Sequence, residues 1–394
     1  MEKNLFIAEA KRTPIGGFQG SLAAYKGHQL GSLAISALNT KGIIDEVIMG
    51  CVLPAAQGQA PARQAALGAG LSSGVSATTV NKVCGSGMKA IMIACDQIAL
   101  GQAHSVVAGG MESMSNAPYL LENARKGYRV GHGQIIDHMY RDGLEDAYHK
   151  NADGSHSLMG TFADATAKRY GFSRDDQDQF ALRGFEKVQY ALGFKFFQGE
   201  IIPIEIKDAK GNQTILQTDE APDRVKPEKF SALRPAFDAG GTVTAATSSS
   251  LADGAAALWL VDGETANKQG LSPLARVVGY ASYAHEPEWF TTAPIGAIKK
   301  LLDKIGWSLD QVDLFEINEA FAVVPMAAIK ELSIPAEKVN IHGGACTLGH
   351  PIGASGARIV VTLIHALKQH GLKRGIASVC IGGGEATAIA VEVF

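Results

Sequence analysis

Two stretches of this chain carry the same order of residue types, and this repeat constrains the fold more than any other feature. Each stretch begins with a small-residue turn, continues as an apolar helix pattern, passes a glycine and ends in a strand-like run. Three landmark pairs keep nearly the same offset of 269, 270 and 273 residues: Gly87 with Gly356, Gly101 with Gly371, and Glu112 with Glu385. A duplicated α/β unit places equivalent turns on one side of a pseudo-two-fold axis, so both copies can contribute to one pocket.

The pattern changes twice along the chain, which indicates a division into domains. Up to about residue 118, short apolar strands alternate with helix-like stretches, as in βαβ units. Residues 119–241 are more charged, and residues 242–394 return to small and apolar types. We therefore predict an α/β protein with residues 1–118 and 242–268 as its first half, an inserted domain over 119–241, and a second half over 269–394.

Composition narrows the classes of function. The formal net charge of −3 and the lack of a long basic run predict no nucleic-acid partner. No apolar stretch reaches the roughly 18 to 20 residues that a membrane span requires, so we expect no membrane association. Five cysteines, an odd number, without a recognisable signal peptide favour reduced thiols and a cytoplasmic location.

Cys84 stands in Val-Cys-Gly-Ser-Gly at 83–87, between an extended β-branched run and an apolar helix pattern. The glycines permit a tight turn, which predicts Cys84 at a helix N-terminus, where backbone N–H groups and the helix dipole favour a thiolate. The alternative is a small buried apolar residue, the commoner role of a lone cysteine. Cys380, in Cys-Ile-Gly-Gly-Gly at 380–384, has a similar place between strand and turn near the other end of the chain.

Two polar residues supply what a thiol nucleophile requires. His350 lies in a glycine-rich turn made rigid by Pro351, and its imidazole could accept the proton of Cys84. A surface or capping histidine is the alternative. Asn318 follows a predicted strand, so it is either the N-cap of the next helix or a side chain turned into the pocket to hold a water or an oxyanion.

Other patterns carry less weight. Ser72 fits the Gly-x-Ser-x-Gly pattern of hydrolases, but a helix-like stretch precedes it and a strand-like run follows, the reverse of a nucleophile elbow. Cys51, Cys95 and Cys346 lack the spacing of metal ligands, so we predict no metal site.

Four linked motifs resemble those of the thiolases, and most nearly the acetyl-CoA acetyltransferase branch of that family. They are VCGSG with Cys84, NEAFA with Asn318 and Glu319, GGACTLGHPIGASGAR with His350, and CIGGG with Cys380. The resemblance covers essentially the whole chain. It implies a thiolase fold, in which two five-stranded α/β halves stack as layers α-β-α-β-α and an inserted loop domain covers the active site.

The resemblance also implies a reaction. In cleavage, Cys84 attacks the 3-keto carbon of a 3-ketoacyl-CoA, His350 activates Cys84, and Cys380 protonates the departing acetyl-CoA enolate. In the reverse direction Cys380 removes the α-proton of an acetyl-CoA, so that two acetyl-CoA molecules give acetoacetyl-CoA and CoA. Two thiols can divide these roles because their surroundings give them different proton affinities.

The family pattern further implies two oxyanion holes. His350 and a water held by Asn318 form one, and the backbone N–H groups of Cys84 and Gly382 form the other. Glu319 is expected to support the site by ordering this network.

Substrate contacts follow from the same resemblance. Arg224 and Ser249 match residues that contact CoA, and the inserted domain offers further basic residues for the nucleotide end: Lys207, Lys210, Lys226 and Lys229. Met159 and Phe321 resemble residues that crowd the acyl pocket in the acetyl-specific branch, which favours a short-chain substrate. CoA is a substrate, and we expect no resident cofactor. The resemblance implies a homodimer or homotetramer.

Two other readings remain open. One is a broad-range degradative 3-ketoacyl-CoA thiolase, because the chain departs from the family near the pocket: Leu158 stands where the acetyltransferases commonly have histidine. The other is an inactive thiolase-fold protein that binds or carries lipids. The intact set of Cys84, Asn318, His350 and Cys380 disfavours that second reading.

Overall fold

The computed structural model describes residues 5–40, 42–207 and 211–394. Its strands are β1 (Leu5–Arg12), β2 (Gly16–Gly17), β3 (Glu46–Gly50), β4 (Ser76–Val80), β5 (Ser105–Ser113), β6 (Tyr119–Leu120), β7 (Ile136–Asp137), β8 (Ile204–Lys207), β9 (Gln213–Leu216), β10 (Ala252–Asp262), β11 (Ala275–Ala284), β12 (Leu314–Ile317), β13 (Arg374–Ile381) and β14 (Glu385–Val393). Its α-helices are α1 (Gly27–Ser36), α2 (Pro61–Gly68), α3 (Ser86–Ala99), α4 (Met159–Tyr170), α5 (Arg174–Gly193), α6 (Gly263–Lys268), α7 (Ala293–Ile305), α8 (Val323–Leu332), α9 (Ala345–Leu348) and α10 (Ser355–Gln369).

One mixed sheet contains the strands of both halves. The first half runs β4-β3-β5-β10-β1 and the second runs β11-β14-β13-β12, and β1 joins β11 through two antiparallel residue pairs. Within the described residues the second half has four strands where we expected five. An isolated bridge between Phe315 and Val339 lies where a fifth strand would pair with β12.

Three apolar clusters account for the layers. The central cluster contains α3 and α10 between strands of both halves, and both helices are buried on nearly all sides. A second cluster packs α1 and α2 against the outer face of the first half, and a third packs α7 and α8 against the second half. Burial on every side explains why the sequences of α3 and α10 are apolar around most of the helix. The expected α-β-α-β-α arrangement is confirmed.

The sequence repeat corresponds to α3 followed by β5 and α10 followed by β13. Each helix ends at a glycine with a left-handed backbone, Gly101 at φ 73° and Gly371 at φ 65°. The first turns of the two helices touch, because a Cβ at Gly87 would lie 2.9 Å from the Ala357 nitrogen and one at Gly356 would lie 2.6 Å from the Met88 nitrogen. This close approach brings the loop before α3 beside the loop before α10.

The segment that we predict as an inserted domain contains α4, α5, two small hairpins and several single turns. Its boundaries at residues 119 and 241 stay a prediction. Ser173 caps α5 as expected, since its side chain accepts a hydrogen bond from the Asp176 nitrogen. In the described part of the chain, no helix is long and apolar enough to cross a membrane.

Candidate active site

A cavity of about 250 Å³ opens where the two central helices begin. Six of the predicted residues line it: Cys84, Met159, Ser249, Phe321, His350 and Gly382. Cys380, Asn318 and Glu319 are buried and are not among the residues that line it. Arg224 lies outside the cavity, in an adjoining groove. The fold therefore gathers residues from both halves and the inserted segment around one space.

Cys84 lies immediately before Gly85, the N-cap of α3. The sequence predicted that glycine would supply the turn, but the residue with a left-handed backbone is Val83, at φ 46°. Such a conformation is unusual for a β-branched residue and costs about 1–3 kcal/mol. Side-chain hydrogen bonds hold it: Asn81 Oδ1 accepts from the Val83 nitrogen at 3.0 Å, and Ser86 Oγ donates to the Val83 carbonyl at 2.6 Å.

The glycines around Cys84 instead permit close contact between the halves. A Cβ at Gly85 would lie 2.4 Å from Ile381 Cδ1, on the strand that carries Cys380. The backbone N–H of Gly382 contacts the Cys84 sulfur. Gly85 thus lets the two cysteine turns meet, and Gly382 supplies a hydrogen-bond donor at the nucleophile.

Burial raises the pKa of the Cys84 thiol to about 12, and this effect outweighs the opposing hydrogen bonds from the backbone N–H groups of Gly382 and Cys84. The prediction that the helix N-terminus favours a Cys84 thiolate is therefore wrong, because burial outweighs it. The local sequence shows the helix start but not the apolar surroundings. A neutral thiol needs a base that removes its proton during the reaction.

His350 has the geometry of such a base. Ser355 Oγ donates its only proton to the Pro351 carbonyl at 3.0 Å. In its contact with His350 Nδ1 at 2.6 Å the hydroxyl oxygen must therefore accept, which places the ring proton on Nδ1. Nε2 is then an acceptor, and it has no hydrogen-bond partner among the described residues. Burial, aided by the charge of Arg358, lowers the pKa of His350 to about 3, so the imidazole is neutral at working pH.

Cys380 lies at the end of β13 and is fully buried. Burial raises the pKa of its thiol well above the ordinary value, and the charge of the neighbouring Cys84 raises it further. The backbone of Ala320 contacts the Cys380 thiol and favours its ionised form. Ala320 also lines the cavity, so Cys380 lies directly behind the wall.

Asn318 is not a helix cap, because the next helix, α8, begins at Val323 with Ala322 as its N-cap. Its side chain is buried, and neither Oδ1 nor Nδ2 has a hydrogen-bond partner among the described residues. Buried amides are ordinarily satisfied. An amide left with both groups free is suited to hold a water or a substrate oxygen.

Glu319 holds neighbouring loops together. Its carboxylate accepts hydrogen bonds from Asn340 Nδ2 at 2.7 Å and from the Cys346 nitrogen at 3.1 Å. A Cβ at Gly344 would lie 2.1 Å from the Glu319 carboxyl carbon, so glycine is required beside it. Glu319 therefore fixes the segment that leads to His350.

Arg224 lies in a groove of about 510 Å³ that meets the cavity at Ser250 and Leu251. Lys226 and Lys229 also line this groove, and the Arg224 guanidinium donates to Glu220 Oε1 at 3.3 Å. Lys207 lies elsewhere, on the hairpin of β8 and β9, and Lys210 lies outside the described residues. Of the predicted basic residues, three share the groove.

Two residues of the site were missed in the sequence. Ser355 orients His350, and Glu112 accepts backbone hydrogen bonds from two loops beside Cys84. Both belong to the repeat, Ser355 in its small-residue turn and Glu112 as a landmark. The repeat indicated where Ser355 and Glu112 lie in the fold, but it did not indicate which groups they contact.

Comparison with known proteins agrees with this geometry. The family description "Thiolase, N-terminal domain" matches residues 5–264, and "Thiolase, C-terminal domain" matches residues 271–393. Acetyl-CoA acetyltransferase 2 of Arabidopsis thaliana is 49% identical over 399 residues, which cover 100% of this chain and 98% of the relative. Acetyl-CoA acetyltransferase of Pseudomonas aeruginosa is 45% identical over 98% of each chain.

Solved structures agree as well. The crystal structure of the Bacillus anthracis acetyl-CoA acetyltransferase superposes with a TM-score of 0.94 at 41% identity, covering 100% of this chain and 99% of that one. The Acat5 thiolase of Ascaris suum, solved in complex with coenzyme A, gives a TM-score of 0.91 at 40% identity over 99% of this chain and 100% of that one. In sequence and in fold, along its whole length, the chain belongs to the thiolase family.

Proposed function

We propose that this protein is an acetyl-CoA C-acetyltransferase that condenses two acetyl-CoA molecules to acetoacetyl-CoA and CoA, reversibly, through an acetyl group on Cys84. The full-length relatives named acetyl-CoA acetyltransferase support this assignment. The observation that carries it is that Cys84 and a neutral His350 line the same cavity, and that His350 Nε2 has no hydrogen-bond partner within the described part of the chain.

The first half-reaction acetylates Cys84. His350 Nε2 takes the thiol proton while the sulfur attacks the thioester carbonyl of acetyl-CoA. The backbone N–H groups of Cys84 and Gly382 stabilise the oxygen that becomes negative. The CoA thiolate then leaves and takes the proton from His350, so the ring returns to its neutral form.

The second half-reaction forms the carbon–carbon bond. Cys380 first passes its thiol proton to His350 Nε2, and the resulting thiolate removes the α-proton of a second acetyl-CoA. The protonated Nε2 of His350 and a water on Asn318 donate hydrogen bonds to the enolate oxygen. The enolate carbon attacks the acetyl carbonyl, and the Cys84 thiolate that leaves recovers its proton from His350, so all three groups return to their starting forms. An acetylated Cys84 cannot ionise, so no thiolate charge at this position opposes the ionisation of Cys380.

The walls of the cavity favour a short acyl chain. Met159 Sδ lies 3.4 Å from the position of a Cβ on Gly382, so Met159 borders the space beside the nucleophile. Phe321 packs edge-on against Phe237 with ring centroids 5.7 Å apart. Phe321 is also held by a bridge to Ser248, which fixes this wall beside Ser249.

The CoA-dependent cleavage of 3-ketoacyl-CoA substrates of increasing length tests the assignment. We expect acetoacetyl-CoA to be the best substrate, and each added methylene to lower kcat/KM by about 10- to 200-fold in a filled pocket. Equal or faster cleavage of a long-chain substrate would instead identify a broad-range degradative thiolase. No cleavage of any chain length would support an inactive carrier.

Arg224→Ala tests the proposal that the basic groove binds the 3′-phospho-ADP end of CoA. Arg224 is largely exposed, so we expect KM for CoA to rise by about 2- to 5-fold with kcat nearly unchanged, the result of lost uniform binding. The increase should shrink at high salt. Lys207→Ala, on a hairpin away from the groove, is the matched control and should leave KM unchanged. A KM for CoA that Arg224→Ala does not alter at any salt concentration would contradict the proposal.

The oligomeric state of the protein and its independence of a resident cofactor stay predictions. We propose a homodimer or homotetramer, and light scattering of the purified protein would contradict this if it gave a monomer. We also propose that the residues named above carry the chemistry without a resident cofactor. Acyl-CoA compounds are its substrates, as in the thiolase family.

A further inference from the structure

Glu112 is a fully buried carboxylate at the end of β5, close to Cys84 but outside the cavity wall. Oε2 accepts from the nitrogens of Val52 and Gly353, both at 2.9 Å. Oε1 accepts from the Leu53 nitrogen at 3.2 Å and lies 3.6 Å from the Cys51 sulfur. One carboxylate therefore receives hydrogen bonds from two separate loops.

Gly353 connects this carboxylate to the base. It lies three residues after His350, and Ile352 between them lines the cavity. A Cβ at Gly353 would lie 2.6 Å from Glu112 Oε2 and 3.0 Å from the Cys51 Cα, so the turn is packed directly onto the carboxylate. The His350 backbone is tied at its other side, where its nitrogen donates to the Ser250 carbonyl at 2.9 Å.

The loop on the other side of Glu112 supports the nucleophile. Val52 and Leu53 belong to an apolar cluster with Met114 and Ile352, and Val83 and Cys84 pack against that cluster. The distance between a nucleophile and its base affects the rate steeply, because catalysis depends on alignment within a fraction of an ångström. A group that ties both supporting loops together can set this distance.

We propose that Glu112 is a positioning residue for acyl transfer: its carboxylate ties the Gly353 turn to the 52–53 loop and so holds His350 Nε2 in line with the Cys84 thiol. This inference rests on the proposed function. Glu112 does not touch the substrate and transfers no proton.

The charge of Glu112 has the opposite effect on Cys84, which makes the proposal testable. Burial raises the pKa of Glu112 to about 7, and its negative charge disfavours the Cys84 thiolate. Removing that charge alone would make the thiol more reactive. A slower reaction after neutralisation therefore reports lost positioning.

Glu112→Gln is the variant to measure, by the rate at which Cys84 gains an acetyl group from acetyl-CoA, followed by mass spectrometry. The amide offers one oxygen where two accept hydrogen bonds, so its NH₂ group must face a backbone N–H of one loop. We expect the acetylation rate and kcat to fall by about 10-fold or more, and KM for acetyl-CoA to stay unchanged. The size of the loss follows from the contribution of general-base catalysis, about 10²- to 10⁴-fold in rate. Glu112→Asp keeps the charge but shortens the reach, and should slow the reaction similarly.

Glu112→Gln in a His350→Ala background separates a positioning role from a general structural effect. If Glu112 acts through His350, Glu112→Gln should not slow the residual acetylation there. Asp253→Asn, which neutralises a buried carboxylate on the neighbouring strand, is the matched control and should react at the native rate.

Provided that the native protein acetylates Cys84, three results would overturn the inference. They are faster acetylation in Glu112→Gln than in the native protein, an unchanged acetylation rate, or an equal loss of rate in the native and His350→Ala backgrounds. If Glu112→Gln does not fold, the acetylation rate of Glu112→Asp is compared in the native and His350→Ala backgrounds in the same way. Native protein that does not acetylate Cys84 would instead refute the proposed function.

Discussion

Cys84→Ala should abolish both condensation and CoA-dependent cleavage. Without the sulfur no acetyl group can be held on the protein, so we expect turnover to fall by about 10⁴-fold or more. The measurement is acetoacetyl-CoA cleavage by the purified variant at saturating CoA.

The matched control for this experiment is Cys95→Ala. Cys95 is buried in α3, the helix that follows Cys84, but it does not line the cavity. Its replacement removes a sulfur from the core and should leave kcat within about twofold of native, because surface and core changes away from the site act mainly on stability. Native-like turnover in Cys84→Ala would show that another residue carries the acyl group.

Cys380→Ser should separate the two half-reactions. Serine has nearly the same size but is a much weaker acid, so proton transfer at the α-carbon should slow by about 10² to 10⁴-fold. Acetylation of Cys84 relies on His350 and should persist. We therefore expect transfer of acetyl from acetyl-CoA to Cys84 with little acetoacetyl-CoA formed, which a product assay and protein mass spectrometry would detect together.

A condensation rate near native in Cys380→Ser would contradict the role of Cys380 and require another base. Loss of both half-reactions would show that Cys380 is also needed for acetylation. A thermal unfolding temperature close to native would confirm that either result reports chemistry.

The sequence predicted the layered fold because its repeat describes a physical duplication. Two apolar helices that each begin at small residues can pack first turn to first turn, and the contact between Gly87 and Ala357 is that packing. Cys84 and His350 precede these turns, so their convergence followed from the same pattern. The order of helix and strand around Ser72 was also predicted, since α2 precedes it and β4 follows.

Other features could not be predicted from the sequence because they depend on partners distant along the chain. The ionisation of Cys84 is set by apolar groups from several loops, which outweigh the helix terminus that the local sequence shows. The role of Asn318 depends on where α8 begins. Glu112 meets Gly353 across 241 residues, and no local pattern indicates that contact.

The most direct test of the proposed function is to locate the acetyl group. Native protein and Cys380→Ser are incubated with acetyl-CoA, quenched in acid, digested and analysed by peptide mass mapping. We predict a single acetyl group on the peptide that contains Cys84, accumulating further in Cys380→Ser and released from the native protein by added CoA. An acetyl group on Cys380 or Ser72, or acetoacetyl-CoA formation without any acetylated peptide, would contradict the account.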